Sequence, residues 1–190
     1  MRRLASTSAS SAGASRERSR SPETAADPKR RSTTRRRHLL LAAGIGLIVL
    51  AADQATKAWA SSNLPYDRLV PVIPHWFGFG LLHNSGAAFG SLGGRNQVLT
   101  LVTIGLLVAF GWLLFRGALY GPLAAASLGA VLGGGLGNLA DRVRLGSVVD
   151  FIQLRPWPAD FNLADVAIRV GALLLVASVF LQGSRRTRPG

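Results

Sequence analysis

The sequence predicts an all-α membrane protein with four transmembrane helices, a small extracytoplasmic β element and a disordered basic N-terminal tail. Three observations carry that expectation. Nearly half of the 190 residues (48%) are hydrophobic. The apolar residues gather in four runs, each close to the roughly 20 residues a helix needs to cross a hydrocarbon core. The formal net charge is +13, yet the basic residues concentrate at the two ends of the chain.

Residues 1–37 contain eleven Arg and Lys side chains against Glu17, Glu23 and Asp27. The segment is otherwise Ser, Thr and Ala, with too little apolar surface to offset its ordering entropy, so it is expected to be disordered. It abuts an apolar helix directly, which favours a cytoplasmic anchor over a nucleic-acid-binding arm, and no nucleic acid is expected as a partner. No small-residue cleavage site precedes Asp53, so the first helix is expected to be retained rather than removed as a signal peptide.

The four apolar runs are placed at 38–58, 97–115, 119–139 and 163–181, within a membrane domain spanning 38–182. Arg185, Arg186 and Arg188 make the segment 183–190 basic as well. An even number of crossings puts both termini on one side, and the positive-inside rule makes that side the cytoplasm. The connection through Arg116, Gly117 and Ala118 then also lies inside, and the longer connections 59–96 and 140–162 face outward. In the first of these, Arg68–Ile73 and Trp76–His83 favour strands broken by Pro and Gly, a small antiparallel element lying on the membrane surface. Trp59, Trp76, Phe77 and Phe79 are suited to headgroup depth, and Trp157 between two prolines to an interfacial anchor. The second outer connection holds a further strand, Ser147–Leu154, followed by the aromatic-proline turn RPWPADF.

The third run carries Gly129, Gly133 and Gly137 at four-residue spacing, a smooth stripe that permits close helix approach in lipid. The adjacent stripe, Gly134, Asn138 and Arg142, brings polar groups to the outer end of that helix. Lys57 follows Asp53 at i, i+4, an orientation that suits an ion pair. Asp150 ends the SVVD run and Asp165 opens the fourth run. Carboxylates at the membrane edge are costly and mark function by default. Two that fold back on one another cannot both ionise cheaply, so one keeps a proton. Such a pair can activate water as base and protonate a leaving amine as acid. That makes an aspartyl hydrolase centre, without a metal or a covalent intermediate.

The blocks DQATK (53–57), HNSGAAFG (83–90), GGGLGNLADRVRLGSVVDFI (133–152) and FNLADVAIRVG (161–171) resemble those of the lipoprotein signal peptidases, the type II signal peptidase family. The resemblance covers about 38–182, in block order, spacing and membrane placement. It implies a four-helix inner-membrane aspartyl peptidase. Such an enzyme cuts a prolipoprotein's signal peptide before a cysteine already bearing diacylglycerol. It also implies Asp150 and Asp165 as the catalytic pair, supported by Asp53, Lys57, Asn84, Gly86, Gly134, Asn138, Arg142, Asn162 and Ala164. Diacylglyceryl-prolipoproteins and membrane lipids are the expected partners, with no cofactor, a monomeric state and a site at the outer face of the bacterial plasma membrane.

Blander readings stand beside these. Asn162 and Asp165 suit a helix N-cap and first turn without any catalysis. Asp141 beside Arg142 reads as structural, ending a helix in a wet region and pairing locally. Ser85 with Lys57 offers a weak Ser-Lys dyad. His38, His75 and His83 share no metal-ligand spacing, so zinc is not expected. A transporter is disfavoured, because the acids cluster at helix ends and no internal repeat is present. A non-catalytic anchoring protein would make the basic tail its working part. With no cysteine in the chain, disulfides and thiolate chemistry are excluded.

Overall fold

The structure is a computed structural model that describes residues 28–86, 95–116, 121–155 and 159–186. Its helices are α1 (Pro28–Asn63), α2 (Arg95–Arg116), α3 (Pro122–Leu145) and α4 (Leu163–Arg186). Each contains a stretch long and apolar enough to span a membrane. Four strands, β1 (Val70–Ile73), β2 (Phe77–Asn84), β3 (Val148–Leu154) and β4 (Ala159–Phe161), form one antiparallel sheet in the order β1-β2-β3-β4.

The helices run longer than their apolar cores. α1 starts ten residues before the apolar run, so residues 28–37, expected to be disordered, are helical. Pro28 suits a first helical position, and Arg and Lys are good helix formers that propagate a helix already nucleated in lipid. At 36 residues, α1 is about 54 Å long, well beyond a hydrocarbon core of about 30 Å. Its other end extends to Asn63 because it has a surface to cover: Ala60 and Leu64 pack against Leu81, Val149, Phe151, Phe79 and Ile152 of the sheet. That cluster holds the sheet on the end of the bundle. Phe79, suited by sequence to headgroup depth, instead turns toward this core and meets Phe77 edge to face at 5.1 Å. Trp59 and Trp76 remain exposed.

α3 is also displaced from its expected span of 119–139. It continues to Leu145 and stops at Gly146, whose φ of 72° is the left-handed geometry that closes a helix, with its N–H donating to the Arg142 carbonyl at 3.1 Å. The extension matters because it carries Asp141 into the protein interior instead of leaving it at a frayed end. β4 falls inside the stretch read as an aromatic-proline turn; Ile152, Gln153 and Leu154 pair with Phe161, Asp160 and Ala159. Trp157, Gly117 and Ala118 lie outside the described residues, as do 1–27 and 187–190.

The glycine stripe does what its spacing implies. A Cβ on Gly129 would strike the backbone of Ala42, one on Gly133 the backbone of Gly46, and one on Gly137 the carboxylate of Asp53. Gly134 stands the same way toward α4, where a Cβ would lie 2.7 Å from the Ala164 carbonyl oxygen. α3 is therefore the central helix, its two glycine faces drawing in α1 and α4 at distances no other residue allows.

Candidate active site

The residues singled out by sequence converge where the sheet meets α1, α3 and α4. α1 contributes Asp53 and Lys57; α3 contributes Asn138, Asp141 and Arg142; β2 contributes Asn84; β3 contributes Asp150; α4 opens with Asn162, Ala164 and Asp165. Asp53, Asp150, Asn162 and Ala164 are each no more than 1% exposed.

Asp150 is held from two sides. Asn84 Nδ2 donates to Oδ2 at 2.9 Å, and Asn162 Nδ2 donates to Oδ1 at 2.8 Å. Asn138 Nδ2 donates to Asp165 Oδ1 at 2.8 Å. Asn162 also forms a reciprocal cap with Asp165: the Asp165 N–H donates to Asn162 Oδ1 at 3.0 Å, and the Asn162 N–H donates to Asp165 Oδ2 at 3.3 Å. Asn162 thus caps α4 with its Oδ1 and holds the Asp150 carboxylate with its Nδ2, so the capping reading and the functional one coexist. One residue therefore contacts both carboxylates, that of Asp150 through its side chain and that of Asp165 through its backbone N–H. Burial, with the Asp165 charge a smaller cause, raises the Asp150 carboxyl from its ordinary value to about 6 against the lowering effect of Asn84, Asn162 and Lys57.

Behind this pair lies a second layer. Lys57 Nζ donates to Asp53 Oδ2 at 2.8 Å, to Asp141 Oδ2 at 2.8 Å and to Asn138 Oδ1 at 2.9 Å. Those three acceptors match the three protons of an ammonium, which leaves the Ser-Lys pairing with Ser85 without support. The Asp53 to Lys57 ion pair forms as its spacing suggests. Asp53 also accepts from the backbone N–H of Ala164 at 2.9 Å, tying α1 to the first turn of α4. Arg142 is half-buried and feels the charges of Asp165, Asp150 and Asp141.

Three findings correct or extend the sequence reading. Asp141, expected in a wet region with a local partner, is 3% exposed, and its carboxylate is shared by Lys57, Gln54 Nε2 at 3.1 Å and the Val149 N–H at 3.2 Å. The cause is the continuation of α3 past Asn138, which turns position 141 toward α1 and β3. Gln54 was missed: it donates to Asp53, Asp141 and the Gly137 carbonyl, and accepts from Arg144 at 3.2 Å. Its place between Asp53 and Lys57 in DQATK was the available signal. Asn84, implied as a supporting residue by the resemblance, holds its own loop, since its Oδ1 accepts from the Gly86 N–H at 2.9 Å, and it reaches Asp150 as well. Gly86 has φ 80°, a conformation glycine permits, and a Cβ there would press on Leu99 of α2 at 2.6 Å.

The donors around these carboxylates are amides and a lysine. Between Asp53 and Asp141 a cation is already supplied by Lys57, so the chemistry on offer is proton transfer between paired acids and water. A membrane-embedded four-helix bundle with such a carboxyl pair belongs to the class of aspartic membrane hydrolases. The signal peptidase (SPase) II family model matches residues 45–181, and the chain belongs to that family. The lipoprotein signal peptidase of Moorella thermoacetica is 42% identical over 148 residues, which cover 76% of this chain and 95% of that protein. That of Mycobacterium avium is 41% identical over 151 residues, covering 76% and 81%. A bacterial membrane enzyme solved by the in meso method at 1.9 Å superposes with a TM-score of 0.66 at 30% identity, covering 73% of this chain and 91% of the other. A second in meso structure of a bacterial membrane enzyme, at 2.3 Å, gives 0.69 at 28% identity, covering 78% and 93%.

Proposed function

We propose that Asp150 and Asp165 are the catalytic carboxyl pair with which this aspartic endopeptidase removes the signal peptide from prolipoproteins, cutting before the diacylglyceryl-modified cysteine. The observation that supports the assignment is that Asn162 contacts both carboxylates, that of Asp150 through its side-chain amide and that of Asp165 through its backbone N–H, while Asn138 Nδ2 secures the second. One carboxylate takes a proton from water as the water attacks the scissile carbonyl. The protonated partner donates a hydrogen bond to the carbonyl oxygen and then gives its proton to the departing amine, while the proton taken from water stays on the first carboxylate. The asparagines donate to the carboxyl oxygens and fix their orientation. Arg142 supplies donors for substrate backbone or lipid carbonyl oxygens, and Asn84 steadies Asp150 together with the loop at Gly86.

The site lies at the outer face of the membrane and both termini lie inside. The support is charge: Arg35, Arg36, Arg37 and Arg116 sit at one end of the bundle and the sheet at the other. A monomer suffices, since both acids come from one chain. The acylated substrate enters sideways from the bilayer, and its acyl chains supply binding energy of about 0.8 kcal/mol per buried methylene.

The test is cleavage of a lipidated and an unlipidated precursor by purified protein in micelles. Asp150→Asn and Asp165→Asn are each expected to abolish cleavage while leaving the protein inserted and folded. Normal turnover by either variant would refute the pair, and equal cleavage of the unlipidated precursor would refute the substrate class.

A further inference from the structure

Asp141 stands outside the catalytic pair and is buried, charged and fully partnered. We propose that Asp141 is a positioning residue for the reaction, acting on Asp150 through the backbone of β3 and on Asp165 through Lys57 and Asn138. The proposal rests on the reading that Asp150 and Asp165 are the reacting acids.

The geometry runs in both directions from one carboxylate. Asp141 Oδ2 accepts from the Val149 N–H at 3.2 Å, which sets the strand one residue before Asp150. The same oxygen lies 2.8 Å from Lys57 Nζ. Lys57 in turn donates to Asn138 Oδ1 at 2.9 Å. An ammonium can only donate, so it dictates which end of the Asn138 amide faces it. The oxygen must point to Lys57, and the NH2 is then turned toward Asp165 Oδ1, 2.8 Å away. Asn162 Nδ2 donates to the same Asn138 oxygen at 3.2 Å, so losing Lys57 removes one of the two donors that keep the amide in this orientation and loosens its NH2 on Asp165. Asp53 Oδ2 holds the ammonium from the other side at 2.8 Å while its Oδ1 accepts the N–H of Ala164, so Asp141 is the second of two carboxylates that fix Lys57. Asp141 is itself kept in place by Gln54 on Oδ1 at 3.1 Å. One buried acid therefore touches both the strand that carries one catalytic carboxyl and the lysine that helps orient the amide serving the other.

Charge gives the proposal a signature that a structural role lacks. The charged groups facing the catalytic pair are Lys57 from α1 and Arg142 from α3, with Asp53 and Asp141 both paired to Lys57. Removing the Asp141 charge leaves Lys57 less neutralised, which favours the ionised form of Asp150. The pH at which Asp150 loses its proton then falls.

The experiment is steady-state cleavage of a diacylglyceryl precursor across pH by the full-length protein, Asp141→Asn, Lys57→Met and their double variant, with Asp150→Asn alongside. Asp141→Asn is expected to lower kcat about 10- to 100-fold with KM nearly unchanged, and to move the basic limb of the kcat profile to lower pH. In the Lys57→Met background the same substitution costs little more. Wild-type kcat and profile in Asp141→Asn overturn the proposal. So does a loss of kcat that is additive with Lys57→Met and leaves the limb where it was, because that is the mark of a scaffold contact only. Should Asp141→Asn not fold, Gln54→Leu removes one of its holders and is expected to lower kcat severalfold with the same shift of limb; wild-type kinetics there overturn it equally. Activity in Asp150→Asn would instead bring down the catalytic pair itself, so the two failures are told apart.

Discussion

α2 and the trio of α1, α3 and α4 are both membrane helices, but they solve different problems. α2 is apolar almost throughout, and its membrane-spanning window has no buried residues. Val98, Leu101, Val102, Leu106, Val108, Trp112 and Phe115 all point outward, where lipid is their solvent. The trio is closed by glycines against backbone, and polar side chains fill its sheet-facing end. Hydrophobicity gives no preference for protein over lipid inside a bilayer, so it inserts α2 but cannot specify its neighbours. Close backbone approach and hydrogen bonds with no water to replace them do specify the trio. The proposed catalytic acids lie where the packing is specific, and paired acids must be held within fractions of an ångström.

Substitutions that act on the two regions should separate them. The largest effect is expected from Gly133→Leu, whose side chain would be driven into the backbone of Gly46, with Cα and C of that residue within 2.9 Å of the new Cβ. Overpacking against a backbone costs about 3 kcal/mol or more. Thermal inactivation in micelles should therefore drop sharply, and survival of Gly133→Leu at the wild-type midpoint would break the contrast. A smaller effect is expected from pH. Asp150 keeps its proton more tightly when folded than the ordinary carboxyl at 3.8, holding it to about 6. The folded protein thus binds more protons than the unfolded one between those values, and wild-type stability falls as pH rises through that window. Asp150→Asn has no charge to bury. The stability of the variant relative to wild type should climb by at most about 3 kcal/mol between pH 4 and pH 7 and stay flat below pH 3.8. Melting curves of both proteins across pH would show the slope or its absence. The smallest effect is expected on α2: Val102→Ala, at a residue 53% exposed, should change stability by less than about 0.5 kcal/mol and leave cleavage unchanged. A large loss there would mean that α2 meets protein where lipid was inferred.

The pattern of what was legible follows the same division. Apolar length located all four helices, since membrane insertion depends on composition over a window. It set their ends poorly, because helix ends are decided by what lies beyond the lipid. α1 was extended by the sheet that Ala60 and Leu64 cover, and α3 by Asp141 finding Lys57. Gly129, Gly133 and Gly137 were readable as a packing face from spacing alone. β4 was not readable, for ADF has no alternation of its own and exists as a strand only by pairing with β3. At the site, Asp150, Asp165, Asn138 and Asn162 stood out through their motifs. Gln54 did not, and Asp141 was assigned to the wrong surroundings.

By itself the sequence determined what can be written into a local run: four apolar spans, basic ends, a glycine face, and the short blocks that mark the signal peptidase II family. Only the tertiary structure decided which polar groups meet. Lys57 and Asn138 are 81 residues apart in the chain, and Asp53 and the Ala164 N–H are 111 apart. The reason is physical. Insertion energy is nearly additive along the chain, whereas a hydrogen bond depends on distance and direction between groups that only the folded packing of α1, α3, α4 and β3 brings together.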